Sequence, residues 1–316
     1  MVAALKKLTG GDLSGRFSAW WNGKDYKPAP DSEPAKPAES PKPKPSLKSV
    51  APSEGSKPGA TASSTRIAAL EALWGEGKFS PGGSELYNRI TEILPEIATD
   101  ESAQFGVLNS DPAWTSHLMG ALGCSAVIGE WRQPVLKRFR EAFPDFDAVN
   151  GDLDRPAFEP GSLKLLFSQD AFAFADHKSG LAVRALRSLA PGGYWIVLDT
   201  VRGTAKGDLA PAFASAWAEP QLPINDEIVE MCEAAGFTQS RDEEDVSGDL
   251  VQACRYSLDR FGDELEDRLS GPLKLVNKAV FMNELAWEAE SWKWRQRAYA
   301  GDLIHCKMWR FRKPEA

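Results

Sequence analysis

The sequence predicts an α/β protein built on a doubly wound, mostly parallel sheet, and three observations carry that expectation. The stretch QFGVLNSDPAWTSHLMGALGCSAVIGEW, from Gln104 to Trp131, reads as strand, tight turn, helix, strand and terminal carboxylate, the plan of a nucleotide-binding βαβ unit. After Pro191-Gly192-Gly193, the run Tyr194–Leu198 is apolar without alternation, as a strand covered on both faces requires. Strand and helix patterns then alternate as far as Phe311, which implies a mostly parallel sheet with helices on both sides.

Composition narrows the function classes. The 316 residues carry a net charge of −8, which argues against a general nucleic-acid binder. No apolar run approaches the ~20 residues of a membrane span, and the N-terminus lacks the apolar core and small-residue cleavage site of a secretory signal. The 4 cysteines (Cys124, Cys232, Cys254, Cys306) form no CxxC pair, as expected of a reduced, cytoplasmic protein whose thiols are packing residues. The 3 histidines fall in no metal-ligand spacing.

Residues 1 to 27 form a unit of their own. Leu5, Leu8, Phe17, Trp20, Trp21 and Tyr26 stand among Lys6, Lys7 and Arg16, a pattern open to two readings. It suits a recognition peptide or interfacial anchor for an acidic partner, and equally a tail that folds back on its own domain. Residues 28 to 64 are a linker: prolines from Pro28 to Pro58 alternate with Lys, Ser, Ala and Glu. Almost nothing apolar offsets an ordering entropy of ~1–2 kcal/mol per residue, so the segment is expected to be a disordered spacer. The globular domain is expected over residues 65 to 316.

Within it, Arg66–Trp74 reads as a helix, followed by GEGKFSPGG. Leu86, Ile90, Ile93, Leu94 and Ile97 mark a helix over Glu85–Ile97 with Ser84 as its cap. After the opening βαβ unit come a helix over Pro134–Ala142, a short strand near Phe146–Val149, and Gly151-Asp152-Leu153. A strand over Leu163–Phe167 runs into Ser168-Gln169-Asp170. The helix Lys178–Leu189 is expected to bury Leu181, Val183, Leu186 and Leu189. Beyond the Tyr194–Leu198 strand, Asp226–Ala235 is a helix closed by Gly236, and Phe237–Asp242 is a strand. Two long helices follow, Gly248–Leu269 and Pro272–Ala298, the second with Leu273, Val276, Val280, Leu285, Ala289 and Trp292 at helical spacing. The last strand is Leu303–Phe311.

In this order, the segments resemble a class I S-adenosylmethionine-dependent methyltransferase of the small-molecule branch, which includes ubiquinone-biosynthesis and sarcosine-type enzymes. The residues that carry the likeness are LWGEGKFSPGG, SQDAF at Ser168–Phe172, LRSLAPGGYWIVLDT, EIVEMCEAAGF with the following EDVSGDL, and the tail from Glu284 to Pro314. The resemblance implies a Rossmann-like methyltransferase fold: seven strands, the last antiparallel, with the long C-terminal helices as part of a lid. It also implies S-adenosyl-L-methionine as cofactor and a small molecule as methyl acceptor. The family's three loop glycines fall on Asn109, Asp111 and Ala113, and its preceding acid on Val107. Glu130 takes the place of the ribose-binding acid, with Trp131 beside it. Asp152 and Leu153 match the adenine-edge pair, Ser168 the residue at the mouth of the site, and Phe174 replaces a histidine usual after SQDAF.

Two readings of the whole stand at this point. In one, the chain transfers methyl groups, a reaction whose protein supplies alignment and a dry pocket. In the other, the glycine-free loop marks a catalytically inactive binding or regulatory module tethered through Met1–Lys27. Several single residues also divide. Asp170 is either a cap of the following helix or a substrate contact. Asp199 is either a cap or a group facing substrate. Asp152 is either a ligand contact or ordinary turn chemistry. His177 reads as a surface residue at a helix start, the Trp-rich helix as packing, and the run Arg241–Asp245 as a solvated strand edge.

Overall fold

A computed structural model of the chain describes residues 62–94, 104–144, 147–205, 207–217, 220–270 and 275–315. The expected N-terminal peptide and nearly all of the linker lie outside them. The described chain opens with α1 (Ala62–Trp74), three residues earlier than the expected domain boundary, and α2 (Ser84–Glu92). Gly83, in extended conformation, caps α2. Ser84 is therefore the first helical residue and not the cap expected of it.

Seven strands follow, with helices between them: β1 (Gln104–Leu108), α3 (Pro112–Leu122), β2 (Ser125–Glu130), α4 (Gln133–Ala142), β3 (Ala148–Asn150), β4 (Leu163–Gln169), α5 (Ala171–Phe174), α6 (Lys178–Ser188), β5 (Leu189–Arg202), α7 (Pro211–Ala216), α8 (Asn225–Ala235), β6 (Thr238–Asp245), α9 (Ser247–Ser270), α10 (Leu275–Ala300) and β7 (Ile304–Arg312). The sheet order is β3-β2-β1-β4-β5-β7-β6. β1 to β5 pair in parallel and β7 runs antiparallel between β5 and β6. The doubly wound, mostly parallel α/β sheet is thus present, with its last strand reversed.

Both faces of the sheet are dry. On one, Phe105, Val107, Leu165, Phe167, Ile196 and Leu198 pack with α1, α2, α3, α4, α9 and α10. On the other, Leu108, Leu166, Trp195 and Val197 pack with α5, α6 and α8. This two-sided burial explains the unbroken apolar run of β5. That strand is longer than expected: Leu189 pairs with Leu163 and Tyr194 with Leu165, so residues 190 to 193 bulge out. Gly192, at φ +73, makes the bend that an L side chain would resist.

On α6 the buried residues are Leu181, Ala182, Ala185 and Ser188. Val183, expected on that side, is 54% exposed. It lies two residues beyond Leu181, about 200° around the helix at 3.6 residues per turn, and Leu189 has already entered β5. Gly236 closes α8 in the left-handed conformation. On α10, Leu285, Ala289 and Trp292 are buried as their spacing requires, whereas Leu273 lies outside the described residues. β6 is an edge strand on which Arg241, Asp242 and Asp245 are exposed, while Glu243 and Glu244, expected at a solvated edge, are half-buried and paired with Lys307 and Arg241. Among the described residues no helix is long and apolar enough to cross a membrane.

A candidate small-molecule cavity at the switch point of the sheet

In the order 3-2-1-4-5, the crossovers reverse direction between β1 and β4, and ligands of open α/β sheets bind outside the carboxyl ends of strands at such a point. A cavity of about 510 Å³ opens there, within the roughly 300–1,000 Å³ of small-ligand sites. Its floor is the turn after β1 (Asn109, Ser110, Asp111) and the end of β4 (Gln169, Asp170). Arg132 closes one side, and α1 and α10 form the opposite wall.

The floor turn is built without glycine. Only Asn109 takes a left-handed φ, +52, and asparagine tolerates that region better than most residues. Its Nδ2 donates to the Gln169 carbonyl at 2.7 Å, fastening the β1 turn to β4. Asp111 is extended, at φ −117, and caps α3. One carboxylate oxygen accepts from Trp114 N at 2.9 Å and the other from Phe79 N at 3.2 Å. Burial lifts the Asp111 carboxyl to about 7, against the opposing pull of those two hydrogen bonds and of Lys78 and Arg132.

Ala113 lies outside the cavity, its N–H donating to the Gly77 carbonyl at 2.9 Å. The GEGKFSPGG segment therefore lies across the turn, and the Tyr87 ring centroid sits 3.8 Å from that of the fully buried Trp114, tilted by 57°. Two polar atoms of the floor remain without a partner, Asn109 Oδ1 and Ser110 Oγ; their residues are 8% and 4% exposed and line the cavity.

Glu130 is fully buried at the end of β2, and its carboxylate is already engaged. Arg132 donates to it three times: from its backbone N at 2.7 Å and Nε at 2.8 Å to one oxygen, and from Nη2 at 2.8 Å to the other. The remaining candidates stand apart from the cavity. Trp131 is 44% exposed beside the Arg132 guanidinium. Asp152 is exposed and accepts from Asp154 N, turn chemistry of the ordinary kind. Leu153 is buried in the core on the far face of the sheet. Ser168 is fully buried and accepts from Trp195 Nε1 at 2.9 Å; a strand alternates faces, so Ser168 points away from Gln169 and into the core. The structure thus brings Asn109 and Asp111 to one cavity, with Glu130 behind Arg132, and leaves Ala113, Trp131, Asp152, Leu153 and Ser168 outside it.

Asp170 and Asp199 exchange the roles open to them. Asp170, at φ +48, gives α5 no side-chain cap; it accepts from Thr200 Oγ1 at 2.9 Å and faces the cavity. Asp199 caps α5 instead, accepting from Phe172 N at 2.7 Å and Ala173 N at 3.0 Å. Burial raises both carboxyls, and the charge of Asp170 raises Asp199 further.

The tryptophans of α10 suggest packing, and the family likeness makes this helix part of a lid; neither singles out its polar residues. The α10 wall carries Glu284, Glu288, Ser291 and Arg295 toward the cavity at intervals of four, three and four residues, the helical repeat. That polar spacing was the available signal, hidden among tryptophans. Arg66 of α1 bridges to Glu288 and, at 3.6 Å, to Glu284, and its guanidinium lies 4.4 Å from the Trp287 ring.

Comparison with solved structures places this architecture. The chain is similar, at 18% identity and TM-score 0.66, to Haemonchus contortus phosphoethanolamine N-methyltransferase 2 in complex with phosphomonomethylethanolamine and S-adenosylhomocysteine; the match covers 80% of this chain and 58% of that one. A putative sarcosine dimethylglycine methyltransferase from Galdieria sulphuraria matches at 17% identity and TM-score 0.60, over 80% of this chain and 98% of its own. The fold is that of the class I S-adenosylmethionine-dependent methyltransferases. The [4+2]-cyclase SpnF shares this methyltransferase fold at 15% identity and TM-score 0.58, over 80% of this chain and 94% of that one, so one architecture carries differently named activities. This chain spans little more than half the length of the Haemonchus enzyme. No protein-family model and no curated protein sequence matches it.

Proposed function

We propose that the protein is a methyltransferase acting on a small molecule, with S-adenosyl-L-methionine held in the cavity at the ends of β1 and β4. The observation that carries this reading is the pair of buried, unpartnered acceptors Asn109 Oδ1 and Ser110 Oγ on the cavity floor. Buried polar atoms are nearly always satisfied, so these fit a ligand's donors. Asn109, Ser110 and Asp111 would hold the amino-acid end of the cofactor, and Glu130 its ribose hydroxyls once Arg132 swings aside. In this reading Trp131, Asp152 and Ala113 flank the cavity without lining it, and Leu153 and Ser168, turned toward the core of the opposite face, take no part in holding the cofactor.

Bound cofactor supplies an electrophilic methyl group. The protein's part is to orient the acceptor and exclude water, for which the α10 wall and Phe174 are placed. An acceptor that carries a proton on the methylated atom must give it up, and Asp170, which faces the cavity, is placed to take it. The four cysteines are free thiols, which supports a cytoplasmic setting.

A second reading has its own observation. With both Glu130 oxygens taken by Arg132, and the Ala113 N–H taken by Gly77, the chain is a non-catalytic binding module that keeps the fold. Calorimetry with S-adenosylhomocysteine separates the two. Wild-type protein binding at micromolar strength supports methyl transfer. A silent wild type with a binding Arg132→Ala variant favours the module, and silence of both at millimolar ligand rejects the cofactor. The peptide Met1–Lys27 on its tether of residues 28–64 is then the module's docking element; partner pull-down that persists after its deletion refutes that part.

A further inference from the structure

The Arg295 guanidinium is buried on the cavity wall, with the residue 7% exposed. It lies between two indole rings, 3.8 Å from the centroid of Trp217 and 4.5 Å from that of Trp292. Its Nε has no hydrogen-bond partner, and one turn earlier on α10 the Ser291 Oγ has none either, at 1% exposure.

The acids whose fields reach Arg295 are Glu288 and Asp170, and both are engaged elsewhere. Glu288 bridges to Arg66 and accepts from Trp292 Nε1 at 2.8 Å, and Asp170 accepts from Thr200. Neither closes on Arg295 as an ion pair. Burial brings its pKa down to about 10, so the group stays cationic at neutral pH. A buried cation is costly unless paired, and aromatic faces supply only part of that compensation. The other arginines of the cavity differ, since Arg66 and Arg132 are each matched by a carboxylate. A planar guanidinium whose Nε lacks a partner, beside a hydroxyl that also lacks one, suits a carboxylate or phosphate group.

We propose that Arg295 and Ser291 form an anion subsite, and that the small molecule bound in this cavity carries a carboxylate or phosphate group which docks there. The inference deepens the methyl-transfer reading by naming the acceptor's chemical class, and it survives as a ligand-binding claim if that reading fails. Calorimetry of the full chain with inorganic phosphate, and separately with acetate, tests it and distinguishes the two anions. Saturable binding of either is expected, weakened roughly tenfold or more in Arg295→Met, the scale of one lost charge-assisted hydrogen bond, and less in Ser291→Ala. Wild type that binds neither anion overturns the proposal, as does Arg295→Met binding with unchanged affinity. Should Arg295→Met not fold, the Nε–H resonance of Arg295 in the wild type decides: a shift on phosphate or acetate titration supports the subsite, and none with either overturns it. S-adenosylhomocysteine binding by the same wild-type sample reports on the cofactor reading separately.

Discussion

Replacing Arg132 by alanine tests whether Glu130 is held as a buried, internally neutralised carboxylate. The substitution removes the Nε and Nη2 donors, each 2.8 Å from a Glu130 oxygen, and leaves the backbone donor at 2.7 Å. Two charge-assisted hydrogen bonds at ~1.5–3 kcal/mol each set an upper bound of ~3–6 kcal/mol. The Arg132 side chain is 33% exposed while that of Glu130 is fully buried, so water reaches the vacated space and moderates the loss. A destabilisation of ~2–3 kcal/mol is expected, below the full cost of orphaning a buried ion. Urea denaturation followed by circular dichroism measures it, provided the denaturant slope is unchanged. A cycle with Glu130→Gln should return a coupling of at least ~1 kcal/mol, because the two groups touch. A loss in Arg132→Ala below about 0.5 kcal/mol would refute the reasoning, since Glu130 would then have found its partners elsewhere.

Three further outcomes follow from the site. The Asp111 carboxyl is raised to about 7, so between about pH 4 and 7 the folded state holds a proton that the unfolded chain releases. Its contribution is full below that window and is lost as pH rises through it, by up to ~1.4 kcal/mol per pH unit; Asp111→Asn should flatten the wild-type fall in urea midpoint over that range. Ser168→Ala leaves the buried Trp195 Nε1 without an acceptor and should cost ~1–3 kcal/mol, while S-adenosylhomocysteine calorimetry stays within about twofold because the residue is outside the cavity; a large change in affinity would put Ser168 back at the ligand. Asn109→Gly loses only the hydrogen bond to Gln169, ~0.5–1.5 kcal/mol, whereas Asn109→Ala adds the left-handed strain of ~1–2 kcal/mol. Chemical denaturation should rank them in that order, and equal losses would mean the φ of this position is relaxed.

The elements most legible from residues alone were those with a physical reason to be unambiguous. A dry strand such as Tyr194–Leu198 has to be apolar throughout, and a helix end that turns left-handed favours a glycine such as Gly236, so residue type alone marks both. The reversed β7 came from the family likeness and from no property of Ile304–Arg312 itself. What escaped was the chemistry made by distant segments. Nothing near Asp111 in the chain announces that Phe79 N will reach it, and nothing near Glu130 says that the arginine two residues on folds back to close it. Asp170 and Asp199 could not be told apart as caps because the choice depends on which of two adjacent strand ends faces α5. Val183 misleads because an apolar side chain about 200° from the buried stripe looks like any other core residue until the stripe's centre is known. Arg295 and Ser291 are hidden in the sequence because a helix rich in tryptophan reads as packing, and its polar residues gain meaning only once the cavity they face is known.

The antiparallel strand Ile304–Arg312 is wedged between β5 and β6. During synthesis β6 therefore waits without a hydrogen-bonded neighbour, and β5 with one side bare, until more than fifty further residues have left the ribosome. Both waiting edges are open invitations to pair with another nascent chain. The charges strung along Arg241–Asp245 are well suited to keep one of those edges alone until its proper companion arrives.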